Sequence, residues 1–275
     1  FRWDSPISFS MLNNQLDRYL IVAFFPVTAI AEYQAGAWQI PIITTIPYTV
    51  GAVYAPRFVE LFRARRNHEA IGIWRQSALK TALLVVPITM VFLVGSEETM
   101  ELLFTASYLR AAPVFRWYCV LTVGRIATFG SVLLASGAPR LIFQAAVFSL
   151  LSNGLLCFVL VKLVGFNGPA MGTALAFIPS VIYYCFCIAK ATELKLRDIF
   201  PLFGFLRVLA LACVASLPAW WFKSVVTWPA IARLPVETFL VLGTFALVGT
   251  LVGEICRADW QFLANWLRLR MLRAN

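Results

Sequence analysis

Three ionisable side chains stand where the surrounding sequence is too apolar to solvate them. Asp17 and Arg18 fall in one apolar run and Arg125 in another. A charge at the centre of a bilayer costs about 2.5–3.5 kcal/mol on insertion scales, so each is expected to face protein or a water-filled cavity. A buried guanidinium holds phosphate through a planar, bidentate fork, which makes Arg18 and Arg125 candidates for a cationic cavity wall. The competing account is an ion pair of Asp17 with Arg18 or Arg125 that neutralises buried charge. The two arginines exceed the one aspartate, which favours an anionic ligand. Lys80, Lys162 and Arg207 lie close enough to span ends to snorkel to the headgroups.

Uncharged polar residues share the same depth: Asn13, Asn14, Gln15, Gln34, Gln39, Gln144, Ser152 and Asn153. They suit a sugar or polar headgroup, and helix–helix hydrogen bonding accounts for most of them equally well. The candidate binding set is therefore Arg18, Arg125, Asp17, Asn14, Gln39 and Asn153. No catalytic constellation accompanies it. His68 is the single histidine and has no cluster around it, and no metal site, Ser-His-Asp set or Walker loop is present. The chain is not expected to be an enzyme or to carry a cofactor, and ATP-driven pumping would need a separate subunit. Cys185 and Cys187 are spaced C-x-C, but on a helix they point about 200° apart and read as small hydrophobes.

The elements that must position these residues are membrane helices. Hydrophobic residues make up 61% of the 275 residues and charged ones 13%, with a mean hydropathy of +0.81. A soluble domain is about 45–50% apolar and about 25% charged. The predicted fold is all-α, a polytopic integral membrane protein with eight spans at 7–27, 35–55, 74–94, 113–136, 141–163, 169–189, 202–222 and 236–255.

Basic residues set the orientation. Arg57, Arg63, Arg65, Arg66 and Arg75 lie between spans two and three, Lys190, Lys195 and Arg197 between six and seven, and Arg257, Arg268, Arg270 and Arg273 after span eight. With eight alternating spans all fall on one side, joined by Arg2 and Arg140. The other side has Arg110, Arg116, Lys223 and Arg233 with the acidic Glu97, Glu98 and Glu101. Both ends are expected to be cytoplasmic. The net charge of +10 then reports anchoring against anionic membrane lipid and not nucleic-acid binding. The segment 259–273 reads as an amphipathic surface helix. Loops are too short for an extramembrane catalytic domain. Prolines within spans (Pro41, Pro47, Pro87, Pro179, Pro218) permit bends, and Gly168-x-x-x-Gly172 and Gly249-x-x-x-Gly253 permit close helix approach.

Several motifs occur in a consistent order. Leu16-Asp17-Arg18-Tyr19-Leu20-Ile21 is followed by Tyr33-Gln34-Ala35, and Pro56-Arg57 leads into the basic link. Leu102-Leu103-Phe104 precedes Tyr108-x-x-Ala111-Ala112-Pro113. Ala135-Ser136-Gly137, Asn153 and Gly165-Phe166-Asn167-Gly168-Pro169-Ala170 follow. Over about 13–189 this resembles the second lobe of polysaccharide exporters of the O-antigen flippase type, in the multidrug/oligosaccharidyl-lipid/polysaccharide exporter superfamily. Departures are Phe25-Pro26 and Ala31-Glu32 where the family usually has Leu-Gly and Val-Gly, Thr105 for a frequent glycine and Pro169 for a frequent alanine.

The resemblance implies two six-helix lobes around a central cavity. It assigns 1–189 to the second lobe, 190–255 to an additional helix pair and 256–275 to a cytoplasmic tail. The chain opens on Phe1 without an initiator Met or signal peptide, and is expected to be the C-terminal part of a longer protein. It also implies a flippase of a bacterial inner membrane that moves polyprenyl-pyrophosphate-linked oligosaccharide for surface polysaccharide synthesis. Partners would be that lipid, membrane lipids, and the polysaccharide polymerase and chain-length machinery. Arg18 and Arg125 would attract the pyrophosphate. Three alternatives stay open: a cation-coupled drug or metabolite antiporter using Asp17, a membrane enzyme of polysaccharide assembly, and a scaffold without transport.

Overall fold

The computed structural model describes residues 12–254, with only the backbone given at Ile42. The expected amphipathic tail, Arg2 and the outermost parts of spans one and eight lie outside the described residues. Among those described, the regular structure is helical throughout. Leu12 and Asn13 are helical and a turn at Asn14 and Gln15 follows. The main helices are then α1 (Leu16–Phe24), α2 (Val27–Gly36), α3 (Pro41–Arg63), α4 (Asn67–Val94), α5 (Ser96–Phe104), α6 (Ala112–Gly124), α7 (Phe129–Ala135), α8 (Pro139–Val164), α9 (Gly168–Thr192), α10 (Leu196–Ile199), α11 (Leu202–Val225) and α12 (Ala230–Val252). Short 3-10 helices, Ala106–Ala111 and Gly165–Asn167, join α5 to α6 and α8 to α9.

Among the described residues, five stretches are long and apolar enough to cross a membrane: Asn67–Val94, Ala106–Ala135, Pro139–Thr192, Leu202–Val225 and Ala230–Val252. The third is the α8–α9 hairpin, which is two helices. Spans three to eight overlap these stretches, and the chain is a multi-pass, all-α membrane protein.

The first two spans differ from expectation. Instead of one helix over 7–27, the chain breaks at Phe25 (φ −128°, ψ 157°) and Pro26 (ψ 158°), where α1 ends and α2 begins. Proline lacks an N–H and forces the preceding residue out of the helical region. Instead of 35–55, the second helix starts at Pro41, which occupies the first turn, and passes Pro47 and Pro56 to reach Arg63. The fourth span, expected over 113–136, is interrupted between α6 and α7.

Hydrophobic packing joins these helices into one body. Val85, Val86 and Met90 of α4 meet Val208, Ala212 and Ala215 of α11 and Val241 and Phe245 of α12. Trp74 of α4 packs edge-on against Phe129 of α7, beside Phe58 of α3 and Ile188 of α9. Ile21 of α1, Tyr33 of α2, Val114 and Tyr118 of α6 and Ala174 of α9 form a further cluster.

Glycine allows the closest approach. A Cβ at Gly172 would stand 2.7 Å from the Cys157 backbone, and one at Gly168 would collide with the Leu160 carbonyl. The first small-residue stripe is thus the α8–α9 contact, reached through a turn with Gly165 at φ +75°. The second stripe is not a matched pair. Gly253 ends α12 at φ +78° with open space where a Cβ would sit.

The charged links gather at opposite ends. Asn67 donates to the Thr192 carbonyl at 3.0 Å and Arg75 to that of Asp198 at 3.1 Å, bringing the two basic links together. At the other end Glu97 pairs with Arg116 at 2.7 Å, and Glu98 with Lys223 and Arg233, each at 2.7 Å. Burial raises the Glu97 carboxyl, but Lys223 and Arg116 outweigh it and hold the group below the usual carboxylate range. Lys162 lies 4.2 Å over the Phe158 ring, and Arg207 is 3.7 Å from Glu254.

Candidate functional site

The site begins at two places where helices come apart. The chain turns at Asn14 and Gln15 before α1, and the helical path stops at Arg125 (φ −82°, ψ 30°), resuming after Thr128 (φ −93°, ψ 81°). Gly124 allows this break to sit against α9, because a Cβ there would lie 2.7 Å from the Phe177 ring. Gly51 admits the break against α3, since a Cβ would lie 2.6 Å from the Thr128 hydroxyl. Interrupted helices at membrane depth are tolerated where the freed backbone lines a cavity.

A cavity of about 430 Å³ opens there. Polar groups reach it from every side: Asn14 from the turn before α1, Gln39 from the α2–α3 link, Thr44 and Tyr48 from α3, Ser131 from α7, and Ser149 and Ser180 from α8 and α9. Arg125 is the one charged residue among the described residues lining it. Its Nη2 donates to Asn14 Oδ1 at 3.3 Å. Behind this contact, Asn153 is 2% exposed and donates to the Asn13 carbonyl at 3.1 Å and to Asn13 Oδ1 at 2.9 Å. Ser180 donates to Ser149 at 3.0 Å. The Asn13–Asn14 segment is therefore tied to α8 on one side and to Arg125 on the other.

The six sequence candidates separate in space. Arg125, Asn14 and Gln39 line the cavity. Asn153 stands behind it, holding Asn13. Asp17, 1% exposed, accepts hydrogen bonds from Tyr33 Oη at 3.1 Å and from Tyr118 Oη, which fastens α1 to α2 and α6. Arg18 is half-buried, donates to Gln15 Oε1 at 3.0 Å and is not among the lining residues. Thr44, Tyr48, Ser131, Ser149, Ser180 and Tyr184 were missed. Residues 44, 48, 51, 52 and 55 recur at helical spacing, and this polar-and-small stripe on α3 was the signal available.

Among the described residues, the lining offers one fixed cation, no carboxylate, and hydroxyl and amide groups spread over the remaining wall. It suits a ligand with an anionic group joined to neutral hydroxylated parts.

The chain resembles known proteins in both fold and sequence. A solved lipid II flippase MurJ in an inward closed conformation superposes with a TM-score of 0.72 at 16% identity, over 90% of this chain and 53% of that one. The probable low-salt glycan biosynthesis flippase Agl15 of Haloferax volcanii is 23% identical over 188 residues, 66% of this chain and 39% of that protein. The chain thus spans about half or less of the length of these relatives. The lipid II flippase MurJ family profile matches residues 6–237. That is most of the chain, and the chain belongs to the lipid II flippase MurJ family.

Proposed function

We propose that this chain forms one wall of a flippase that carries a polyprenyl-pyrophosphate-linked oligosaccharide across a bacterial inner membrane, with both ends of the chain cytoplasmic. The observation that carries the reading is the cavity at the two helix breaks, with Arg125 as the sole charge among its described lining residues. Arg125 holds the pyrophosphate, and Asn14, Gln39 and the serine and threonine hydroxyls face the sugar. Arg18, in the turn of helix after Asn14, attracts the phosphate during entry. Residues 1–189 act as the cavity-forming lobe and 190–255 as an added pair, with 256–275 at the cytoplasmic surface. Transport needs no cofactor or catalytic residue in this chain. Membrane lipids are its solvent, and a polysaccharide polymerase with its chain-length machinery receives the product.

The antiporter reading draws no support from the cavity, because Asp17 is engaged by two tyrosines away from the lining. The test is translocation of a fluorescent polyprenyl-pyrophosphate glycolipid by the full-length protein in proteoliposomes. Arg125→Ala should abolish it while leaving folding intact. Wild-type transport by that variant would end the assignment of Arg125, and failure of the wild type to move any such lipid would end the flippase reading.

A further inference from the structure

At the end of the molecule away from the basic links, one carboxylate stands out. Glu98 is 2% exposed, and each of its oxygens has a cation at 2.7 Å: Lys223 from α11 on Oε2 and Arg233 from α12 on Oε1. Glu97 is likewise engaged, by Arg116 at 2.7 Å and Lys223 at 3.3 Å. Glu237 follows Arg233 by one turn of α12 and is 0% exposed, yet neither of its carboxylate oxygens has a hydrogen-bond partner among the described residues. It lies within electrostatic reach of Glu98, Lys223, Arg233 and Glu97. Its Oε2 sits against the backbone at Gly95, where a Cβ would come within 2.9 Å.

The neighbouring helices supply no free counter-charge. The last turns of α4, residues 85–94, contain no titratable side chain. From α5 come Glu97, Glu98 and the exposed Glu101, and from α6 comes Arg116, already on Glu97. Lys223 is committed to Glu97, Glu98 and the Val94 carbonyl at 3.0 Å. Arg233 is committed to Glu98 and the Trp228 carbonyl at 2.8 Å. An ionised Glu237 would be a buried charge without a partner, a situation costing several kcal/mol. It would also face a second carboxylate and the negative end of the α4 dipole. A proton on Glu237 removes all three penalties.

We propose that Glu237 is a proton-binding site that latches the α11–α12 pair onto α5. With the carboxyl neutral, Lys223 and Arg233 remain on Glu98 and hold α12 and α11 against α5. When the proton leaves to the adjacent aqueous phase, the Glu237 carboxylate competes with Glu98 for those cations. Arg233 is placed to answer, since its Nε is buried without a partner among the described residues and residues four apart on a helix face each other. The exchange replaces the ion pair between α12 and α5 with one inside α12, and the α12 side of the latch opens. Two discrete pairings of one set of charges make a switch. The proposal does not depend on which substrate the cavity holds.

The test uses the full chain in lipid nanodiscs, as wild type and Glu237→Gln, the neutral isostere. Infrared difference spectra on raising the pH should show loss of a protonated-carboxyl C=O band in wild type and not in Glu237→Gln. Hydrogen exchange of residues 96–104, corrected for intrinsic rates, should rise in wild type by up to about tenfold per pH unit, the limit for one coupled proton. It should stay flat in Glu237→Gln. A wild-type spectrum without the band overturns the proton site. A band with pH-independent exchange at 96–104 overturns the latch.

Discussion

Tyr118 of α6 donates its hydroxyl to the carboxylate of Asp17 of α1, a buried hydrogen bond spanning 101 residues of sequence. Tyr33 of α2 donates to the same oxygen at 3.1 Å. One acid thus holds three helices. Removing one partner of a buried polar group and leaving the other unsatisfied costs about 1–3 kcal/mol. Tyr118→Phe should therefore lower the thermal midpoint of the purified protein by several degrees, and the Tyr33→Phe, Tyr118→Phe double variant should lose more than the sum of the singles, because the second deletion leaves a buried carboxylate stripped of both donors. Single variants that melt with wild type would show that Asp17 is not a structural anchor.

The α8–α9 contact makes a second prediction, with an unpacked glycine of α12 as its control. At Gly172 a methyl group would stand 2.7 Å from the Cys157 backbone, whereas at Gly243 nothing lies within 4 Å. Backbone cannot rotate aside as a side chain does, so Gly172→Ala must separate the hairpin. Overpacking of this kind costs about 1–3 kcal/mol. Gly243→Ala should instead be neutral or stabilising by about 0.5–1 kcal/mol, from the helix preference of alanine alone. Detergent melts of the two variants should move in opposite directions or differ by several degrees. Equal melting temperatures would refute the close approach.

Acid should weaken the far end of the molecule through Glu97. Lys223 and Arg116 hold its carboxyl below the usual range against the opposing effect of burial. A depressed carboxyl stabilises the fold above its unfolded value of about 4.3 and loses that contribution as pH falls through the lower folded value. Glu97 and Arg116 are each more than a third exposed, so solvent screening keeps the effect small. Between pH 5 and 3 the thermal midpoint of wild type should fall further than that of Glu97→Gln. Parallel curves would show that the pairs contribute nothing.

The sequence made some of this legible, and the division has physical causes. Spans five to seven were placed within three residues at each end because each is a single uninterrupted helix whose apolar run ends at turn residues, as at Gly165–Asn167, whereas the helix of span eight starts six residues earlier than expected, at Ala230. The charges expected on one side, Glu97, Glu98, Arg116, Lys223 and Arg233, meet in one cluster because alternating spans return their ends to the same face. The motif run from Leu16 to Ala170 carried enough order to identify a flippase type, and the chain's place in the MurJ family agrees with it. The break after Arg125 was not legible. Gly124 precedes the break, but a single glycine inside an apolar run does not announce one, and the close approaches that accompany it, Phe177 to Gly124 and Gly51 to Thr128, come from distant parts of the chain. Asp17 and Arg18 are adjacent in sequence, so they read as one site, but neighbours on a helix point about 100° apart. One turned to the tyrosines and the other to Gln15.

The last prediction concerns the sign of charge that the cavity accepts. Asn14 Oδ1 receives Arg125 Nη2 at 3.3 Å, so the neutral amide orients the guanidinium without cancelling it. Asn14→Asp places a carboxylate at that position with almost no change of shape. Two unit charges 4 Å apart near a protein surface interact by about 4 kcal/mol, enough to remove Arg125 from service to an anionic ligand. Binding of a pyrophosphate-linked glycolipid to the reconstituted full-length protein, followed by native mass spectrometry or fluorescence, should weaken by about tenfold or more, equivalent to about 1.4 kcal/mol. Asn14→Ala keeps the cation and loses only its orientation, so its binding should fall between the two. Tighter glycolipid binding by Asn14→Asp, or binding of a cationic dye that the variant strengthens, would mean that the cavity does not select for phosphate.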